Sequence, residues 1–139
     1  MPESLSLDPT PKSLRILLAD DNRLMVEGLT NLLVAHGMEV VGIAGDGLKA
    51  VELAQTLHPD LILMDLQLPI MNGFCAAQEI KSDPATASVR IVALTAHAMA
   101  EERQRAEQLG FDGYITKPVN TRTFPAELRQ ILDGDALHD

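Results

Sequence analysis

Apolar residues along this chain alternate between two rhythms. Short stretches that are apolar at most positions, 15–19, 39–44, 61–64, 90–94 and 113–116, read as buried strands, being too short for helices and too unbroken for a wetted face. Between them the apolar positions recur every three or four residues, as in Leu24, Gly28, Leu29, Leu32 and Leu33, then Leu48, Val51, Ala54 and Leu57, and finally Phe124, Leu128, Ile131 and Leu132. That spacing lines one face of a helix. Two further helices are expected over 74–81 and 99–109. Gly37 and Gly110 stand where helices should end, and Pro59 stops the second helix before the strand that follows it.

Strict alternation of strand and helix, with strands apolar throughout, predicts a doubly wound α/β domain whose parallel sheet is covered on both faces. Ligands of such sheets bind beyond the carboxyl ends of the strands. Strand one runs into Asp20 and Asp21, strand three into Asp65, strand four into Thr95, and strand five into Lys117 followed by Pro118. Strand two ends blandly in Gly45, Asp46 and Gly47. A strand order of 2-1-3-4-5 puts the bland strand outermost and gathers three carboxylates, a hydroxyl and an ammonium at one edge. Three acids together repel unless a cation joins them, and an all-oxygen set without Cys or His favours hydrated Mg²⁺ over zinc. The same set suits phosphoryl transfer, with Asp65 as nucleophile and with Lys117 and Thr95 on the phosphoryl oxygens.

Composition narrows the picture. The 139 residues fit one domain, expected over 14–133, preceded by a flexible leader (1–13) carrying Pro2, Pro9 and Pro11 and followed by a short tail (134–139). A net charge of −9 and an aromatic content of 3% without Trp argue against direct nucleic-acid binding, by repulsion and by want of stacking platforms. The lone Cys75 cannot form an internal disulfide, the N-terminus lacks a secretory leader, and no apolar run spans a bilayer, so a cytoplasmic protein is expected, with no direct membrane contact.

Four pieces in this order, Leu-Leu-Ala-Asp-Asp (17–21), Leu-Met-Asp-Leu-Gln-Leu-Pro-Ile-Met-Asn-Gly (63–73), Ala-Leu-Thr-Ala (93–96) and Gly-Tyr-Ile-Thr-Lys-Pro (113–118), closely resemble the CheY-like receiver domains of bacterial two-component response regulators. The resemblance runs from about Leu14 to Leu132. It implies a flavodoxin-like (βα)5 fold and a signalling phosphoacceptor, not an enzyme acting on external substrates. Asp65 is then the phosphorylation site, and Asp21, Asp65 and the Gln67 carbonyl bind Mg²⁺, with Asp20 acting through a water. Thr95 and Tyr114 form the switch, Lys117 pairs with the phosphoryl group, and the Lys117–Pro118 bond is cis. The implied donor is a histidine kinase or histidine phosphotransfer protein docking near Arg23, Leu24 and Glu27. The downstream target is unspecified. A homodimer through the face of helix four, strand five and helix five is left open, as is the choice between a stand-alone regulator and a receiver from a hybrid kinase.

Other residues carry plainer expectations. Gln67 and His97 occupy positions that tune the phosphoryl lifetime in this family, and Asn72 is expected to support a turn by adopting left-handed backbone before Gly73. Cys75 should pack on helix three, His36, His58 and His138 should be solvated or capping, and 101–105 reads mostly as a solvated helix face. A haloacid-dehalogenase-type hydrolase is disfavoured because Gln67 stands where such enzymes carry a second acid. A flavin carrier lacks the hydroxyl-rich phosphate loop and the aromatics. A phosphorylation-independent adaptor is the remaining alternative, which intact Asp65, Thr95 and Lys117 argue against.

Overall fold

The structure is a computed structural model that describes residues 13–96 and 99–132. The leader, apart from Ser13, and the tail fall outside the described residues, as do His97 and His138. Within them lie, in order, β1 (Arg15–Ala19), α1 (Arg23–Ala35), β2 (Glu39–Ala44), α2 (Gly47–Leu57), β3 (Leu61–Asp65), α3 (Gly73–Ser82), β4 (Arg90–Thr95), α4 (Ala100–Gln108), β5 (Gly113–Thr116) and α5 (Phe124–Leu132). All the strand pairings are parallel, in the order β2-β1-β3-β4-β5. The expected flavodoxin-like sheet is therefore the one observed. β3 and β4 each run one residue beyond the sequence-based bounds, so Asp65 and Thr95 are strand residues held in register, Asp65 opposite Leu94 and Thr95 opposite Thr116.

The two faces of each central strand feed separate cores, because successive side chains point to opposite sides of a sheet. On β1, Leu17 and Ala19 join α2 residues Ala50 and Ala54 and α3 residues Phe74, Ala77 and Ile80. Ile16 and Leu18 join Leu29 and Leu33 of α1 and Phe124, Leu128 and Ile131 of α5. Each fully buried aliphatic or Phe side chain contributes about 1.5–3 kcal/mol. One expectation needs correcting: β2 is not apolar-buried throughout. It is an edge strand, with Glu39 and Ile43 exposed and only Ala44 buried, since no strand among the described residues pairs with its outer side.

Polar caps set the helix starts. Asn22 accepts from the Met25 N–H (3.1 Å) and Asp46 from the Lys49 N–H (2.7 Å), each satisfying a free amide of a first turn. Asn72 does the same for α3, accepting from the Cys75 N–H at 2.9 Å with an extended backbone (φ −71°). It is an N-cap and not the expected left-handed turn residue, and Cys75 is exposed, not packed. Gly37 (φ +81°) follows the α1 C-cap His36, Gly110 (φ +90°) follows the α4 C-cap Leu109, and His58 ends α2 in left-handed backbone just before Pro59.

The left-handed residue of the β3–α3 loop is Ile70, at φ +68°. The Met71 N–H donates across it to the Pro69 carbonyl (2.7 Å), closing a three-residue turn that a β-branched side chain adopts at a cost. The loop is clamped at both ends. A side chain at Gly73 would collide with the Asp65 carbonyl, and one at Gly47 with the Met71 carbonyl, so backbone packs on backbone beneath the strand-end acids. Replacing the exposed Ile70 with Asn, which tolerates this conformation, is expected to raise stability by about 1 kcal/mol. Urea denaturation checks this, and Ile70→Val, which keeps the β-branch, should show no gain.

Candidate functional site

The carboxyl edge of the sheet assembles the site. Asp20 follows β1, Asp65 closes β3, Thr95 closes β4 and Lys117 follows β5. Asp20, Asp65 and Thr95 are buried, while Asp21 is exposed. One oxygen from each of Asp20, Asp21 and Asp65 lies within 4.8 Å of the others. Such crowding of like charge needs a counter-charge, and Lys117 supplies one. Its Nζ lies 3.0 Å from Asp20 Oδ2 and 3.3 Å from Asp65 Oδ2. The other oxygens are held by backbone: the Asn22 N–H donates to Asp20 Oδ1 (2.8 Å) and the Gln67 N–H to Asp65 Oδ1 (2.9 Å). Each buried carboxylate is thus fixed at both ends.

Backbone pairing sets the reach of Lys117, whose N–H donates to the Thr95 carbonyl (2.7 Å) just before a cis bond to Pro118. Burial alone would lower the pKa of its ammonium, but the hydrogen bond and charge of Asp20, then those of Asp65, outweigh burial and raise it. The three acids and Lys117 come together as expected. Gln67 is exposed and joins the site through its backbone, and the Thr95 hydroxyl donates to Glu102 Oε1 at 2.9 Å.

Glu102 is the residue that reading 101–105 as a solvated face missed. It is half-buried, and the same Oε1 also accepts from the Tyr114 hydroxyl at 2.7 Å. Arg103 sits over the Tyr114 ring, 5.5 Å from its centroid. A signal existed in the sequence. Glu102 precedes Ala106 by four positions, and Ala106 is the buried residue of α4, so both lie on the inward face. Burial first, then the Glu102 hydrogen bond and charge, push the Tyr114 phenol from 10.0 up to about 12.

The acidic donor set fits a hard divalent cation, since clustered carboxylate oxygens, joined by no thiolate or imidazole among the described residues, are what such ions select. No helix among the described residues is long and apolar enough to cross a membrane.

Comparison with known proteins agrees with this geometry. A family model described as the response regulator receiver domain matches residues 16–129. The polar-differentiation response regulator DivK of Brucella ovis is 36% identical over 121 residues, covering 87% of this chain and 97% of that protein. A two-component response regulator of the LuxR family from an Aurantimonas species superposes with a TM-score of 0.83 at 30% identity, over 89% of this chain and 88% of that one. The receiver domain of the sensor histidine kinase PA1611 from Pseudomonas aeruginosa, solved with a magnesium ion coordinated in its active-site cleft, gives 0.74 at 35% identity, over 87% and 95%.

The raised phenol pKa has a measurable consequence. A proton held more tightly in the folded state than in the unfolded one stabilises the fold below the ordinary value and ceases to do so above the raised one. The stability supplied by protonated Tyr114 is therefore expected in full below pH 10 and to disappear as pH climbs from 10 to about 12. With one Tyr and no Trp in the chain, ultraviolet absorbance of the tyrosinate titrates this residue alone. A midpoint near 10 in the folded protein would contradict the part-buried contact with Glu102.

Proposed function

The chain belongs to the response regulator receiver domain family of two-component systems, and from that premise we propose that Asp65 accepts a phosphoryl group from a phosphohistidine donor in a Mg²⁺-dependent reaction. The observation that carries this reading is the cluster of Asp20, Asp21 and Asp65 at one sheet edge with Lys117 bridging the two buried members. Asp21, Asp65 and the Gln67 carbonyl would hold the ion, with Asp20 acting through a water. Bound there, Mg²⁺ supplies the positive charge that offsets the phosphoryl oxygens.

The chain's own residues do the rest. Asp65 Oδ attacks phosphorus as the bond to the donor imidazole nitrogen breaks, leaving an acyl phosphate on Asp65 and returning the electron pair to the imidazole. The hydrogen bond from the Gln67 N–H holds one oxygen of the nucleophile and fixes its orientation. Lys117, already 3.3 Å from Asp65, is within a small side-chain movement of a phosphoryl oxygen and shifts its pairing there. Thr95 turns its hydroxyl from Glu102 toward the same group, and Tyr114 follows.

A receiver of this kind is a signalling domain, and its phosphorylation and dephosphorylation are self-catalysed. The folded unit is taken as 14–133, acting in the cytoplasm. Leu24, 79% exposed in the first turn of α1 just after Asp20 and Asp21 in the chain, offers the donor an apolar contact. The target reads the face of α4, β5 and α5.

Intact mass after incubation with acetyl phosphate tests this. The expected result is a single Mg²⁺-dependent phosphoryl adduct, labile to hydroxylamine and absent from Asp65→Asn. No adduct on folded wild-type protein, under conditions that trap a slowly hydrolysing acyl phosphate, would favour a phosphorylation-independent adaptor.

A further inference from the structure

Resting on the reading of Asp65 as phosphoacceptor, we propose that Glu102 is a positioning residue for the switch, a latch whose carboxylate competes with the phosphoryl group for the Thr95 hydroxyl. A threonine hydroxyl has one proton and donates to one acceptor at a time. Here that acceptor is Glu102 Oε1, at 2.9 Å. Thr95 reaches a phosphoryl oxygen on Asp65 only by giving up this bond, which is charge-assisted and correspondingly strong. Glu102 therefore holds the unphosphorylated arrangement in place.

The same oxygen carries the signal outward. Tyr114 donates to it at 2.7 Å, so loss of the Thr95 bond and repulsion between a phosphoryl group and the Glu102 carboxylate disturb both hydroxyl contacts together. Arg103, stacked on the Tyr114 ring from the next position of α4, moves with Glu102. The helix that bears them is lightly anchored, with Ala106 its one buried residue and no side-chain hydrogen bond at its N-cap Met99. Segments held by few buried contacts are those that move at low cost. Glu102 thus couples the chemistry at Asp65 to the surface formed by α4 and β5.

The test compares wild type with Glu102→Gln, which keeps size and an acceptor oxygen but removes the charge, and with Glu101→Gln, which removes a charge from the exposed neighbour. Two readouts are taken: the affinity for beryllofluoride with Mg²⁺, followed by the fluorescence of the lone Tyr114, and the rate of adduct formation from acetyl phosphate. Glu102→Gln is expected to bind beryllofluoride about tenfold more tightly, the difference between a charged and a neutral hydrogen bond, and to form the adduct faster, while Glu101→Gln matches wild type. In a Thr95→Ala background most of the Glu102 effect should be lost, leaving only direct repulsion between its charge and the phosphoryl mimic, which a merely structural role for Glu102 does not predict. Beryllofluoride affinities within twofold of wild type for Glu102→Gln, with wild type phosphorylated normally, overturn the latch and leave Asp65 as acceptor. Absence of any wild-type adduct overturns both.

Discussion

Everything at the carboxyl edge of this sheet turns on one electrostatic problem, the confinement of three carboxylates within 4.8 Å of one another, two of them buried. Carboxylates removed from water are tolerated only with hydrogen bonds and a counter-charge. The chain provides both from elements distant in sequence: N–H groups two residues beyond Asp20 and Asp65, and an ammonium from the end of β5. Delivery of Lys117 to that point requires β5 at the sheet edge beside β4 and the N–H of Lys117 on the Thr95 carbonyl. The topology thus serves charge balance at one spot, and a divalent cation or a phosphoryl group acts by entering an arrangement whose charges are already poised.

This explains which parts of the molecule could be read from sequence. Strand order and strand-end residues were legible because a doubly wound sheet sends its carboxyl ends to one edge whatever the details. The caps at Asn22 and Asp46 follow from residue type and position, and the glycines past α1 and α4 mark their stops. The three acids and Lys117 were found together because each stands at a strand end.

The misreadings share a physical origin. Asn and left-handed backbone are associated statistically, but in the β3–α3 loop Asn72 was needed as an acceptor for a free amide, and the left-handed residue fell two positions earlier on Ile70. β2 looks buried by composition, yet burial at a sheet edge depends on what lies beside it, which composition does not record. Glu102 was lost in a charged run because amphipathic patterning weighs apolar residues, and the inward face of α4 shows only Ala106 and a glutamate. A polar residue that faces inward to meet two hydroxyls leaves no hydrophobic trace.

The clamped loop after β3 has a consequence for how this domain can vary. At Gly47 and Gly73 the carbonyls of Met71 and Asp65 occupy the space of any side chain, so drift there is blocked by volume alone. Ile70, at the exposed tip between Met71 and Pro69, meets no such barrier and is already in a conformation that many other residues accept at least as readily. Sequence change in this segment is therefore channelled to its apex, where the chain can alter the surface that it offers to other molecules without shifting Asp65.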